Sequence, residues 1–196
     1  GIRFDACWSG TLRRQQQTLG EVRDRFQYAG IDMPLPTEIA ALDEYEYEAI
    51  LRVLVPLIEE EDPAFIGDVN HMLSDRRAFQ KVFGRVMTRW ASGRDSVENL
   101  LSWSSFAAGV TAGIRDIIDH SNRGSQVAVF TSGGPIAAAV GSVMGLAAEN
   151  TVALSWRLVN ASVTRFIFGG GRISLATFNE YGHLEREGES GLVTYR

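Results

Sequence analysis

Two stretches of this sequence, far apart along the chain, share one design: a short apolar run, a turn containing glycine, then a helix start. They are Cys7-Trp8-Ser9-Gly10-Thr11-Leu12-Arg13-Arg14 and Val129-Phe130-Thr131-Ser132-Gly133-Gly134-Pro135-Ile136. Strands that feed helices through tight turns call for an open α/β sheet. Ligands of such sheets sit beyond the carboxyl ends of the strands. Helix N-termini there offer unpaired N–H groups and partial positive charge to an anion, and Arg13 or Arg14 would add a planar fork for oxyanion recognition.

Composition narrows the classes. At 196 residues the chain is long enough for one domain with a substantial core. The net charge of −5 argues against non-specific nucleic-acid binding. The one uncharged stretch long enough to span a membrane, Ser125 to Ala148, is cut by Thr131-Ser132-Gly133-Gly134-Pro135, so no membrane partner is expected. A single cysteine, Cys7, rules out an internal disulfide and fits a reducing, cytoplasmic setting. No set of histidines and carboxylates has metal-ligand spacing, and no cofactor is called for.

The pattern of apolar residues and breakers places the elements. Phe4 to Trp8 reads as a buried strand, Thr11 to Tyr28 as a helix, and Glu38 to Leu42 as a short strand. Tyr45 to Glu60 has helical spacing with Pro56 as a kink or break. Ser74 or Asp75 can cap a helix reaching Trp90, with Phe79, Val82, Phe83, Val86 and Trp90 on its apolar face. Ser102 to His120 is another amphipathic helix. Gln126 to Thr131 is a strand, followed by a helix to Leu146 with Pro135 in its first turn. Ala161 to Phe168 and Arg172 to Phe178 form a hairpin through Gly169-Gly170-Gly171, and Glu185 onward is expected to be mobile. The expected fold is α/β and three-layered, a mostly parallel sheet with helices on both faces and a C-terminal hairpin.

Leu12 to Thr18 resembles the L-x-R-x-x-x-T segment of the histidine phosphatase superfamily, which includes the phosphoglycerate mutases. Leu42-Asp43-Glu44 resembles that family's L-x-E, and Val127 to Ile136 its apolar strand with a His-Gly-Gly turn. Asn160 to Thr164 and Phe178 to Leu184 resemble the closing strands of its phosphatase branch. The resemblance implies a small phosphorylated substrate and a phosphohistidine intermediate. It implies that Arg14 binds phosphate and takes part in catalysis, with Arg13, Ser132 and Gly133 as further phosphate-binding positions. Glu44 matches the acid that protonates the leaving oxygen.

Two departures stand out. Ser132 falls where the family has its second histidine, and serine can donate a hydrogen bond but carries no charge. The Arg-His-Gly strand bearing the nucleophile has no counterpart, since the eight residues before Ser9 contain no histidine. The chain is therefore expected to be N-terminally truncated and inactive alone. The family's first strand lies in mid-sheet, between the strands matching Val127–Thr131 and Ala161–Phe168, so those two should leave a gap, pair with each other or recruit another chain. Of the other histidines, His71 is expected in a loop and His120 at a helix end, while His183 could reach the pocket in place of Ser132. The alternative is a non-catalytic phosphate-binding or protein-interaction domain. A dinucleotide-binding domain is disfavoured by the lack of a G-x-G-x-x-G turn.

Overall fold

Cys7 and Trp8 are buried neighbours on one short strand, and adjacent strand residues point to opposite faces. Both faces must therefore be covered. The computed structural model describes residues 2–188 and 191–195, so Gly1, Glu189, Ser190 and Arg196 lie outside the described residues. Strand β1 (Ala6–Ser9) sits between β2 (Pro36–Glu38) and β3 (Val127–Phe130), and both pairings are parallel. On one face Cys7 and Ala128 pack against Leu19 of α1 (Arg13–Tyr28). On the other, Trp8 packs against Leu42 and against Ile117 of α5 (Trp103–Asp119). The sheet is thus the middle of three layers. Burial from both sides desolvates the Cys7 thiol and pushes its pKa up to about 11, only partly offset by the Arg23 charge.

The largest apolar cluster lies among the helices. Helices α2 (Tyr47–Glu61), α3 (Phe65–His71) and α4 (Arg76–Ser92) join α5, α6 (Gly133–Met144) and α7 (Ala148–Ser155) around Leu54, Ile58, Val82, Val86, Trp90 and Phe106. A fully buried side chain of this size contributes roughly 1.5–3 kcal/mol. Two caps are local and conventional: Asp75 accepts from the Arg77 N–H at 2.8 Å, and Ser102 accepts from the Ser105 N–H at 3.1 Å. Trp90 and Trp103 meet edge to face at 5.4 Å.

Several expectations need correction. The segment at Glu38 to Leu42 is not a strand: β2 begins at Pro36 and ends at Glu38, and Ala40–Leu42 is a 3₁₀ turn. β2 lies at the edge of the sheet, where a proline without an N–H is tolerated. Helix α2 runs unbroken through Pro56, held by buried Leu54 and Ile58 on either side. The acidic Glu59–Pro63 region leads directly into α3, so His71 ends a helix. Phe79 is half-exposed and stacks on Phe83 at 5.5 Å. Beyond the last strand, α8 (Gly182–Arg186) forms and Tyr195 pairs with Val159, while Glu189, Ser190 and Arg196 of the expected mobile tail lie outside the described residues. No helix among the described residues is long and apolar enough to cross a membrane.

The C-terminal hairpin joins β4 (Val163–Gly169) to antiparallel β5 (Arg172–Glu180) through Gly170 and Gly171, both with positive φ. Phe166 anchors it to the helical core, while Val163 and Ile167 on its alternate face are exposed. Among the described residues, β3 pairs only with β1, and β4 only with β5. The two sheets therefore remain separate, which is the first of the three expected outcomes. An unpaired strand edge with exposed Val129 and Ile167 invites association. We expect the isolated chain to self-associate in sedimentation velocity, and Ile167→Lys to raise the monomer fraction without changing helical content. A wild-type chain that stays monomeric at all concentrations would contradict this.

At the end of α4, Arg89 donates to Asp95 at 2.6 and 2.8 Å and to Glu61 at 2.9 and 3.1 Å. The hydrogen bonds from Arg89 hold the Asp95 carboxyl below its ordinary pKa. A depressed carboxylate stabilises the fold above its unfolded pKa of about 3.9 and loses that contribution as the pH falls through its folded value. Asp95→Asn should cost about 2 kcal/mol at neutral pH by denaturant titration. The gap to wild type should close below about pH 4; a gap that persists in acid would contradict the assignment.

Candidate functional site

The parallel order β2–β1–β3 brings three carboxyl-terminal loops side by side. After β1, Gly10 makes a turn so tight that a Cβ there would overlap the Gln15 side chain and lie 2.6 Å from Asp43 Oδ1. The Thr11 N–H donates to that same Oδ1 at 2.6 Å, which fixes the turn against the loop after β2. From the first turn of α1, the Arg14 guanidinium extends to the loop after β3, where its Nε donates to Ser132 Oγ at 3.4 Å. Arg13 is exposed and lies outside this hydrogen-bonded set.

Ser132 stands at the N-cap of α6, yet its hydroxyl makes no capping bond. The reason lies in its neighbours. Gly134 at the second helical position donates its N–H to Glu44 Oε2 at 3.0 Å. Pro135 at the third has no N–H to give. Gly133 opens the helix, and Ile136 already donates to the Ser132 carbonyl. A carboxylate at a helix N-terminus meets the positive end of the macrodipole, and Glu44 is nine-tenths buried there beside buried Tyr45. Gly134 permits this approach, because a Cβ would overlap the Glu44 carboxylate and lie 2.7 Å from Tyr45 Cε1.

Of the residues marked by the sequence, Arg14, Ser132, Gly133 and Glu44 come together at one end of the sheet. His183 does not join them by any described hydrogen bond, and it is exposed on α8. His71 and His120 each bond a backbone carbonyl of their own helix, at Gly67 and Asp116. One residue of the site escaped the sequence reading. Gln15 is 2 % exposed and bonds Ser132, the Leu42 carbonyl and the Leu12 N–H. Its four-residue spacing from buried Leu19 was the available signal, since both fall on one helix face. Among the described residues no cluster of histidine, cysteine and carboxylate suits a metal ion.

Comparison with known proteins gives the family and the fold. The family model for the histidine phosphatase superfamily (branch 1) matches residues 65–181, more than half of the chain. The chain belongs to the histidine phosphatase superfamily. The matched residues include the Ser132–Gly134 turn and exclude Arg14 and Glu44. Among solved structures, the fold is similar to a mutant phosphoserine phosphatase from Entamoeba histolytica in complex with phosphoserine. That match has TM-score 0.58 and 19% identity, covering 92% of this chain and 76% of the other. It is also similar to phosphoglycerate mutase from Bacillus anthracis, with TM-score 0.59 and 13% identity over 96% and 78% of the two chains. A mycobacterial hydrolase matches with TM-score 0.55 and 17% identity over 91% and 78%. At these identities the likeness establishes the phosphoglycerate mutase-like fold. No curated protein sequence matches the chain.

The close approach at Gly134 gives a direct check. Gly134→Ala should displace Glu44 or Tyr45 and cost about 1–3 kcal/mol in thermal or denaturant unfolding. A substitution without effect would mean that Glu44 does not rest against α6.

Proposed function

We propose that this chain is a single histidine phosphatase-like domain whose pocket binds the phosphoryl group of a small phosphomonoester. Arg14 and Ser132 would hold the phosphoryl oxygens together with the Gly133 N–H, and Arg13 would add positive charge at the rim. Glu44 would protonate the leaving oxygen. The observation that carries this reading is the contact of the Arg14 guanidinium with Ser132 Oγ at the N-terminus of α6, two residues before the Gly134 N–H that holds Glu44. Phosphoryl transfer needs positive charge and donors around the equatorial oxygens, plus an in-line nucleophile. The family membership supports phosphatase-type chemistry, and the phosphoserine bound by a structural neighbour is in keeping with a small phosphorylated substrate.

The nucleophile would be a histidine outside residues 1–196, on a strand that enters the sheet between β3 and β4. Those two edges are unpaired with each other, as such a strand requires. The isolated chain would then be inactive, because removal of a nucleophile costs on the order of a millionfold in turnover. Hydrolysis of p-nitrophenyl phosphate tests this. The 196-residue chain should match the buffer blank, and adding an N-terminal strand that ends in Arg-His-Gly should restore turnover that Arg14→Ala abolishes. Turnover by the chain itself that Arg14→Ala removes would overturn the external nucleophile.

One observation favours a second reading, a phosphate-binding or interaction domain without catalysis: serine stands at the turn where the family resemblance places a histidine. If the strand-restored protein binds phosphate but never forms phosphohistidine, that reading holds.

A further inference from the structure

We infer that Gln15 is a positioning residue that aims the Ser132 hydroxyl proton into the pocket, so that Ser132 serves as a hydrogen-bond donor to a bound phosphoryl group. The inference rests on the pocket reading above. The orientation of the Gln15 amide follows from its partners. The Leu42 carbonyl can only accept, so the group 2.8 Å from it is the NH₂. The Leu12 N–H can only donate, so the group 3.2 Å from it is the carbonyl oxygen. The second hydrogen of Nε2 then points at Ser132 Oγ, 2.9 Å away, which must accept it.

A serine oxygen has two lone pairs and one proton. Gln15 Nε2 fills the first lone pair, and Arg14 Nε approaches the second. The backbone N–H groups of α6 that a serine cap would normally engage are taken by Glu44 or removed by Pro135. The hydroxyl proton is left to the remaining tetrahedral direction, beside the Arg14 guanidinium, where an oxyanion would accept it. Without Gln15, one donor that fixes the hydroxyl is lost, so it could rotate and the anion would face a lone pair. Burial at 2 % exposure makes this orientation firm, since the glutamine has no water to turn toward.

The test is a double-mutant cycle on the full chain, with inorganic phosphate as the probe and calorimetry as the readout. Gln15→Met keeps the volume and removes both donors. Ser132→Ala and Gln15→Met should each weaken phosphate binding about tenfold, the scale of one charge-assisted hydrogen bond. The double variant should be no weaker than either single one. A glutamine that merely supports the fold would cost the same in both Ser132 backgrounds, and that result would overturn the inference. If Gln15→Met does not fold, Gln15→Glu takes its place. Its carboxylate should draw the serine proton inward and weaken binding, with recovery as acid protonates it across the range where phosphate stays a monoanion. Binding that is flat across that range would also overturn the inference. Failure of the pocket itself looks different: phosphate binding that is absent, or indifferent to Arg14→Ala, sinks the function reading as a whole.

Discussion

A single buried carbonyl holds the site together. The oxygen of Leu42 accepts from Gln15 Nε2 at 2.8 Å and from Thr131 Oγ1 at 2.6 Å. Those donors stand on the first turn of α1 and at the end of β3, so one acceptor ties together the loops that follow all three parallel strands. A buried carbonyl left without partners would cost a kcal/mol or more, so the three loops cannot separate without exposing it. Arg14 lies next to Gln15 in sequence, Glu44 two residues beyond Leu42, and Ser132 next to Thr131. Each candidate functional residue is thus one or two positions from an arm of the same junction, and their mutual geometry follows from it.

The same junction explains why Glu44 can lie against a helix end. The 3₁₀ turn at Ala40–Leu42 packs on α5 and delivers Asp43 and Glu44 in opposite directions. Asp43 turns back to the Thr11 N–H, while Glu44 goes forward to the Gly134 N–H. Two helix starts are thereby approached by carboxylates from two adjacent residues. On the proposed reading, a phosphoryl group entering this space meets the Arg14 guanidinium, which makes the approach favourable, with the Glu44 carboxyl held near it by the Gly134 N–H.

How much of this was legible in the sequence depends on the range of the interaction responsible. The cap at Asp75 was readable to within one residue, as Ser74 or Asp75, because a capping bond spans two or three residues. The two strand–glycine–helix segments were readable for the same reason. Helix α7 was missed because eight residues from Ala148 carry little periodicity and no side-chain cap. Helix α3 hid behind Pro63 and an acidic run. At Pro36, pairing with β1 outweighed the residue's poor strand propensity, and the strand began two residues earlier than its apolar content suggested. Arg14 was marked together with Arg13, and Ser132 through its glycine turn, by the strand–turn–helix design; the resemblance singled out Arg14 and gave Ser132 and Glu44 their roles. Gln15 was marked by neither, since its partner lies 117 positions away and one glutamine in Gln15-Gln16-Gln17 looks like another.

The replacement expected at the second histidine position can be weighed from these contacts. A protonated imidazole would bring charge to a phosphoryl oxygen and could release a proton; a serine hydroxyl brings one hydrogen bond and no titration near neutral pH. Gln15 and Arg14 both donate to that hydroxyl, which polarises it and strengthens the one bond it can give. The charge that serine lacks is not supplied by Gln15, so Arg14 is the only cation among the described residues bonded to this group. Removing that charge should therefore cost more than removing the hydroxyl, and the ranking of Arg14→Ala above Ser132→Ala in phosphate affinity follows from electrostatics alone, whether or not the domain catalyses anything.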